Sequence, residues 1–215
     1  MLATSKAASA IRSWRHFEYV EDIPRFSGNW TESSKVPLPP FIGISRLAYP
    51  GQDLLYYHSA VMVTFIGAGQ CVYQLMKVSV LMQRYSSQAE AVIYTPHGVN
   101  PREVEPLTTA LPPVDTLALL HGLHDITLTS KAQLNLGAHN GLKVQRIIRS
   151  KYWVATHDEI KVGGGLVSWF LNRKSITLRE ALEKEGEECN DKIGLAALAE
   201  VNFVDISNGE SLILE

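Results

Sequence analysis

The sequence predicts an α/β fold, because short apolar segments typical of β-strands alternate with an amphipathic helix. Three such segments, residues 91–95, 116–120 and 151–156, are each followed within two residues by a histidine. A helical pattern over residues 136–148 separates the last two segments. Strand, helix and strand at this spacing are typical of layered α/β domains.

The amino-terminal part of the chain is expected to contain a helix followed by several strands. Residues 5–14 place their apolar side chains on one helical face, and Thr4 or Ser5 is suited to cap this helix. The same part of the chain is expected to form strands over residues 1–4, 16–23, 41–48 and 54–65 and a loop over residues 25–40. Residues 66–88 fit a helix or a strand.

The remaining elements follow from prolines, apolar runs and one capping residue. Residues 101–113 begin and end with proline and predict an extended linker. Residues 116–120 are continuously apolar after Thr116, which predicts a strand buried on both faces. Thr177 is suited to cap a helix over residues 178–187, and a weaker helix is expected around residues 193–201.

Length and composition favour one folded domain. With 215 residues and 46% hydrophobic content, the chain can bury a sizeable core. We assign residues 1–175 to this domain and residues 176–215 to a helical tail packed on it. A net charge of −2 argues against nucleic-acid binding, and no apolar run approaches the ~18 residues of a membrane span.

Cysteine usage favours a reducing compartment. Cys71 and Cys189 are far apart and form no C-x-x-C pair, so neither a disulfide framework nor a zinc knuckle is indicated. The amino-terminal residues lack the apolar core of a secretory signal. We therefore expect a cytoplasmic protein.

Histidines recur at the ends of the predicted strands. Four of the seven lie there, namely His97, His121, His124 and His157. Imidazole is the commonest metal ligand and the usual general base near neutral pH. A single histidine at a strand end is more often a hydrogen-bonded structural residue, so the hypothesis depends on the recurrence. Several histidines along one rim predict a shared site.

The segment His121-Gly-Leu-His124-Asp125 allows two interpretations. A compact metal chelate is one, since three potential ligands lie within five residues. A loop with one histidine hydrogen-bonded to the backbone is the other. Serine hydrolase chemistry is not indicated, because no G-x-S-x-G segment occurs, and neither cysteine has the surroundings of a nucleophile.

Two parts of the chain resemble a known architecture. Residues 135–141 (NLGAHNG), a helix and then the strand that ends at His157 resemble the carboxyl-terminal part of the metallo-β-lactamase-fold superfamily, particularly its lactonase-like and fungal members. His97 falls where that family has a metal-bridging aspartate. His58 lies in a segment similar to the one that carries the family's third histidine.

The resemblance covers about residues 1–175 and implies a partial αββα sandwich with its site at the rim between two sheets. It implies zinc as the cofactor, with His157, His58 and His97 as metal ligands, and a small molecule as the substrate. Zinc in such a centre activates water for hydrolysis. The expected protein is therefore a metal-dependent hydrolase of this type.

The chain departs from the family's pattern in two respects. The motif H-x-H-x-D-H, which supplies most of the family's metal ligands, occurs nowhere in the 215 residues, and its place would be before Met1. A neutral imidazole at His97 cannot bridge two cations as a carboxylate does. We therefore expect a truncated or degenerate hydrolase with an incomplete metal site, or a non-catalytic binding or scaffold module that keeps the fold.

A sandwich without its first strands would expose an apolar sheet edge or face. Such surfaces promote pairing with another chain. Self-association of the chain is the expected consequence.

Overall fold

The computed structural model describes residues 2–3, 5–14, 17, 20–31, 38–39, 41–48, 59–66, 89–129, 132–156, 158, 164–188, 202–206, 210–211 and 213–214. Its strands are β1 (Leu2–Ala3), β2 (Glu21–Asp22), β3 (Ile42–Leu47), β4 (Ala60–Phe65), β5 (Ala89–Thr95), β6 (Val114–His121), β7 (Asp125–Leu128), β8 (Ala132–Leu136), β9 (Tyr152–Ala155), β10 (Leu171–Lys174) and β11 (Asn202–Val204). Its α-helices are α1 (Ser5–Arg12), α2 (Pro101–Val104), α3 (Gly137–Ile148) and α4 (Leu178–Glu188), and short 3-10 helices span Glu105–Thr109 and Leu166–Phe170. The predicted α/β class is confirmed.

Six of the described strands form the main sheet, in the order β11-β9-β6-β5-β4-β3. Strands β3, β4 and β5 are antiparallel neighbours, whereas β5, β6, β9 and β11 run parallel. A second sheet is antiparallel with the order β10-β7-β8, and β1 and β2 form a short parallel pair. The carboxyl ends of β5, β6 and β9 therefore reach the same edge of the main sheet, as predicted.

One face of the main sheet is buried beneath α3. Ile93 and Leu119, from the two central strands, share a core with Val144 of this helix, and none of the three side chains is exposed. Trp153 of β9 lies in a neighbouring core with Leu142. This packing holds α3 directly behind the strand ends that carry the histidines.

Helix α4 packs against α3. Ala181 lies in the same buried cluster as Leu142, and Glu185 forms an ion pair with Arg146. Thr177 and Glu180 bond reciprocally at the helix start, since the Thr177 N–H donates to the Glu180 carboxylate and the Glu180 N–H donates to the Thr177 hydroxyl. The predicted helix and its cap are confirmed.

The other face of the main sheet is mostly apolar and incompletely covered, and Arg46 and Glu90 also lie on it. The strand register pairs Val63 with Ile44 and Val61 with Tyr94, which places these side chains on one face. Val63 is 36% exposed and Tyr94 is 44% exposed. We call this surface the open face; its apolar residues, all at least partly exposed, are Ile42, Ile44, Val61, Val63, Phe65, Val92, Tyr94, Leu120 and Val154. The second layer of an αββα sandwich stays a prediction.

The linker predicted over residues 101–113 is wrong. Its first half is helical, because the Asn100 side chain accepts the Arg102 N–H at 3.1 Å and Pro101 occupies the first helical position. Proline is compatible with the first turn of a helix, where its missing N–H would have no partner. Within residues 16–23, only Glu21–Asp22 is described as strand. The predictions for residues 67–88 and 193–201 lie outside the described residues.

Candidate functional site

Three parallel strands deliver the site to one edge of the main sheet. At their carboxyl ends, Thr95 of β5 and Ala155 of β9 are both register partners of His121 in β6. Gly122 then turns the chain where the strand ends crowd together. A Cβ atom at this position would lie 2.9 Å from the Thr156 carbonyl oxygen and 3.3 Å from that of Pro96. The edge therefore requires glycine at position 122.

The Asp158 carboxylate holds the loop that follows β6. It accepts the backbone N–H of Leu123 at 2.8 Å and that of His124 at 3.0 Å. Bonds from N–H groups to an ionised acceptor are stronger than neutral ones. The end of β9 thereby fixes the position of His124.

His124 lies between a carboxylate and a hydroxyl. Its Nε2 atom is 3.0 Å from the Ser175 hydroxyl, and its Nδ1 atom is 3.8 Å from Asp158 Oδ1. The Nδ1 atom is buried and makes no hydrogen bond within the described part of the chain. The side chain as a whole is 12% exposed. The ring is thus held in a defined orientation at the edge of the main sheet.

His121 is fully buried behind this loop. Its Nδ1 atom is 2.6 Å from the Gly122 carbonyl oxygen, and its Nε2 atom is 3.0 Å from the Asn140 side-chain oxygen. The Asn140 amide is itself fixed, because it accepts the Val99 N–H and donates to the Val99 carbonyl oxygen. His121 therefore anchors the strand end to α3 rather than facing a substrate.

Burial lowers the pKa of His121. The hydrogen bonds to Asn140 and the Gly122 carbonyl oxygen and the charge of Asp158 oppose this shift without reversing it. Both ring nitrogens face oxygen acceptors, and only an imidazolium would donate to both, which limits how far burial can lower the pKa.

The lowered pKa of His121 predicts a pH-dependent stability. Above the usual histidine value of 6.5 the folded and unfolded states both hold this ring neutral; as the pH falls below 6.5, the unfolded chain takes up the proton first. The free energy of unfolding should therefore decrease as the pH is lowered below 6.5, by up to about 1.4 kcal/mol per pH unit for one proton. Urea unfolding between about pH 5 and 8 measures the slope.

The variant His121→Gln should remove most of that slope, since glutamine does not titrate. His139→Gln, a change at a partly buried histidine of α3, is the matched control and should leave the slope in place. An unchanged slope in His121→Gln would contradict the assignment to His121.

His97 follows β5 and is oriented by an amide. Its Nδ1 atom is 2.6 Å from the Asn135 side-chain oxygen, and its carbonyl oxygen accepts the Leu136 N–H. An oxygen acceptor at Nδ1 places the proton there and the lone pair on Nε2. Metal-binding imidazoles are commonly oriented in this way.

A second polar group lies where β7 begins. Burial raises the pKa of the Asp125 carboxyl, and the nearby charges of His139, Lys174 and Lys184 oppose that shift. Asp125 therefore belongs to a mixed-charge cluster with His139 and not to a chelate with His121 and His124.

The predicted site residues have different outcomes. His97 lies at the edge as expected, whereas His58 and His157 lie outside the described residues. The structure agrees with the second interpretation of residues 121–125, a loop in which His121 bonds to a backbone carbonyl. Within the described part of the chain, no three His, Cys, Asp or Glu side chains are grouped as a metal ion requires.

Sequence reasoning missed Ser175 and the orienting roles of Asn135 and Asn140. Ser175 is 51 positions from His124 and follows a short exposed strand, so no local pattern joins the two. The asparagines lie in the segment of residues 135–141, but nothing in the sequence pairs them with histidines of other strands.

A cavity of about 450 Å³ lies at the other end of β6, away from the histidines. It is lined mainly by the segment from Leu107 to Thr116 and by Ile147 and Ile148 of α3. The chemistry-bearing side chains described above are not among its lining residues.

No protein family model, no curated protein and no solved structure matches this chain. The resemblance to the metallo-β-lactamase fold therefore stays a prediction. None of the described helices is long and apolar enough to cross a bilayer.

Proposed function

We propose that this chain is a metal-dependent hydrolase-like protein whose metal site is incomplete. The observation that supports it is the meeting of three parallel strand ends at Gly122, with His97, His124 and Asp158 along one edge. Ligand sites in α/β proteins lie at the carboxyl ends of the strands. The proposed substrate is a small molecule.

The fit of zinc to the described residues is partial. Zinc in hydrolases takes three protein ligands and leaves one position for water. His97 has the ring orientation of a ligand, but no set of three ligands is present among the described residues, and His58 and His157 fall outside them. The described residues do not make up a complete site, and we derive no reaction step through a metal.

The proposed compartment is the cytoplasm. This rests on the two cysteines, Cys71 and Cys189, whose separation in sequence offers no disulfide framework for an oxidising environment.

Zinc uptake by the whole chain tests the proposal. After dialysis against buffered zinc, mass-spectrometric metal analysis should find less than one zinc per chain, and His97→Gln should lower that content further. His139→Gln is the matched control and should leave the zinc content unchanged. One or two tightly held zinc ions per chain would refute the incomplete centre.

The alternative is a non-catalytic binding or scaffold module. It is favoured because polar groups of the site bond to one another and to the backbone. The side-chain oxygens of Asn135 and Asn140 contact ring nitrogens of His97 and His121, and the Asp158 carboxylate accepts backbone N–H groups. Hydrolysis of lactone, thioester or phosphodiester substrates that requires added zinc discriminates the two. Turnover that His97→Gln abolishes supports the hydrolase; no turnover and no zinc uptake supports the scaffold.

A further inference from the structure

Ser175, His124 and Asp158 are brought together from three separate parts of the chain. His124 follows β6, Asp158 follows β9 and Ser175 follows β10. The Ser175 hydroxyl is 3.0 Å from His124 Nε2, and His124 Nδ1 is 3.8 Å from Asp158 Oδ1. A hydroxyl, an imidazole and a carboxylate in this order are the groups that activate a serine for nucleophilic attack.

The protonation states are mutually consistent. For the Ser175 hydroxyl to donate to Nε2, the neutral His124 ring must carry its proton on Nδ1. That nitrogen is buried, has no hydrogen-bond partner among the described residues and faces Asp158, whose charge favours the Nδ1–H form. The 3.8 Å separation is longer than a hydrogen bond, and free-enzyme contacts of this kind commonly tighten when substrate binds.

The Asp158 carboxylate and the Ser175 hydroxyl are both kept in position by neighbouring parts of the structure. Asp158 accepts the N–H groups of Leu123 and His124, so its oxygens stay beside the ring. Ser175 lies between the β10–β7 pairing, which ends at Lys174, and the capped start of α4 at Thr177. Ser175 itself is exposed, so a ligand can reach its hydroxyl.

We propose that Ser175, His124 and Asp158 form a nucleophilic site for carboxylic esters or thioesters, at the same sheet edge as the proposed metal site but acting without bound metal. Ser175 Oγ forms a bond to the carbonyl carbon while its proton passes to His124 Nε2. The alcohol or thiol leaves with that proton. Water then attacks the acyl-serine and gives one proton to His124, which returns it to Ser175 Oγ as the carboxylic acid departs.

Each residue has a distinct role in this site. Ser175 and His124 are the catalytic residues, because they touch the reacting atoms. Asp158 is a positioning residue that acts through His124 by selecting its tautomer. Esters and thioesters are the expected class because their leaving groups need less proton donation than an amine does.

Covalent labelling of the full chain tests the proposal. A fluorophosphonate probe should add once per chain, at Ser175, as read by intact mass and peptide mapping. Ser175→Ala should abolish the adduct, and His124→Gln should slow labelling by about 100-fold or more. Ser168→Ala is the matched control, because the Ser168 hydroxyl donates to the Gly165 carbonyl oxygen, and it should leave labelling unchanged.

The role of Asp158 is read from the imidazole nitrogens. In the wild-type chain the ¹⁵N shifts of His124 should report the proton on Nδ1, and in Asp158→Asn they should report it on Nε2, with slower labelling. A merely structural role for Asp158 would not move the tautomer. An unchanged tautomer in a folded Asp158→Asn chain would remove Asp158 from the site.

Metal chelation separates this proposal from the proposed hydrolase. Labelling of Ser175 should persist in EDTA, whatever the zinc content of the chain. No adduct at Ser175, or labelling that Ser175→Ala and His124→Gln leave unchanged, would refute the nucleophilic site. Because Ser175 is exposed, Ser175→Ala is expected to fold, which circular dichroism checks.

Discussion

Replacing Trp153 by alanine is expected to lower the free energy of unfolding by about 3–5 kcal/mol. The side chain is 1% exposed and lies edge-to-face with both His121 and Phe203, with ring centroids 5.9 Å apart in each pair. Its Nε1–H also donates to the His121 carbonyl oxygen at 3.1 Å. Urea unfolding of the variant and the wild-type chain measures the difference.

Two further variants test separately the N–H donor of Trp153 and the packing of its indole. Trp153→Phe keeps an aromatic ring but removes the N–H donor, and it should cost less than the alanine change. Gly141→Ala would place a methyl group against the Trp153 indole, so it should destabilise by about 1–3 kcal/mol. An exposed helical glycine changed to alanine would instead stabilise.

A double-mutant cycle tests whether contact with the indole is the cause. In the Trp153→Ala background the methyl group of Gly141→Ala has room, and its cost should fall to near zero. Strictly additive effects of the two substitutions would contradict the close packing of α3 on β9.

We expect the wild-type chain to self-associate through the open face, and a lysine placed on that face should abolish the association. The face combines apolar side chains from five strands, and Val63 and Tyr94 are its most exposed members. Large apolar surfaces of this kind drive association. The wild-type chain should therefore self-associate with rising concentration in light scattering, and Val63→Lys or Tyr94→Lys should shift it to the monomer.

Trp169→Lys is the matched control for the open face. Trp169 is 85% exposed, so the substitution removes more exposed apolar surface, but it lies in a short helix before β10 and not on the main sheet. It should leave the association unchanged. A monodisperse wild-type monomer at high concentration would contradict the prediction.

The parallel strands and α3 could be predicted because each is encoded locally. Residues 91–95 and 116–120 are apolar runs that stop at residues able to end a strand, and residues 136–148 repeat their apolar side chains at helical spacing. Pro101 misled the prediction for residues 101–113, because proline begins a helix as readily as it interrupts one.

The short strands β10, in the second sheet, and β11, in the main sheet, could not be predicted in this way. Strand β10 is the polar-rich segment Leu171–Lys174, and its residues form a strand only because they pair with β7, more than forty positions earlier. Strand β11 is three residues long and is likewise defined by its neighbour.

In the candidate site, likewise, the locally encoded features could be predicted and the long-range contacts could not. The edge itself was predictable, because strand ends and histidines coincide in the sequence. The partners were not, since Asn140 meets His121 and Ser175 meets His124 only through the packing of α3 and the pairing of β10. Those contacts decide which histidine anchors the fold and which one faces a hydroxyl.

Strand β11 has a consequence for any shortened form of the chain. It pairs with β9 from Asn202 to Val204, and Phe203 stands against Trp153 on the far side from His121. A chain that ended after α4 would lose the contact between Phe203 and the Trp153 indole. Its sheet would then end at β9, whose unpaired backbone would be open to strand exchange with other molecules. Strand β11 therefore both stabilises the packing of Trp153 and covers the edge of the main sheet at β9.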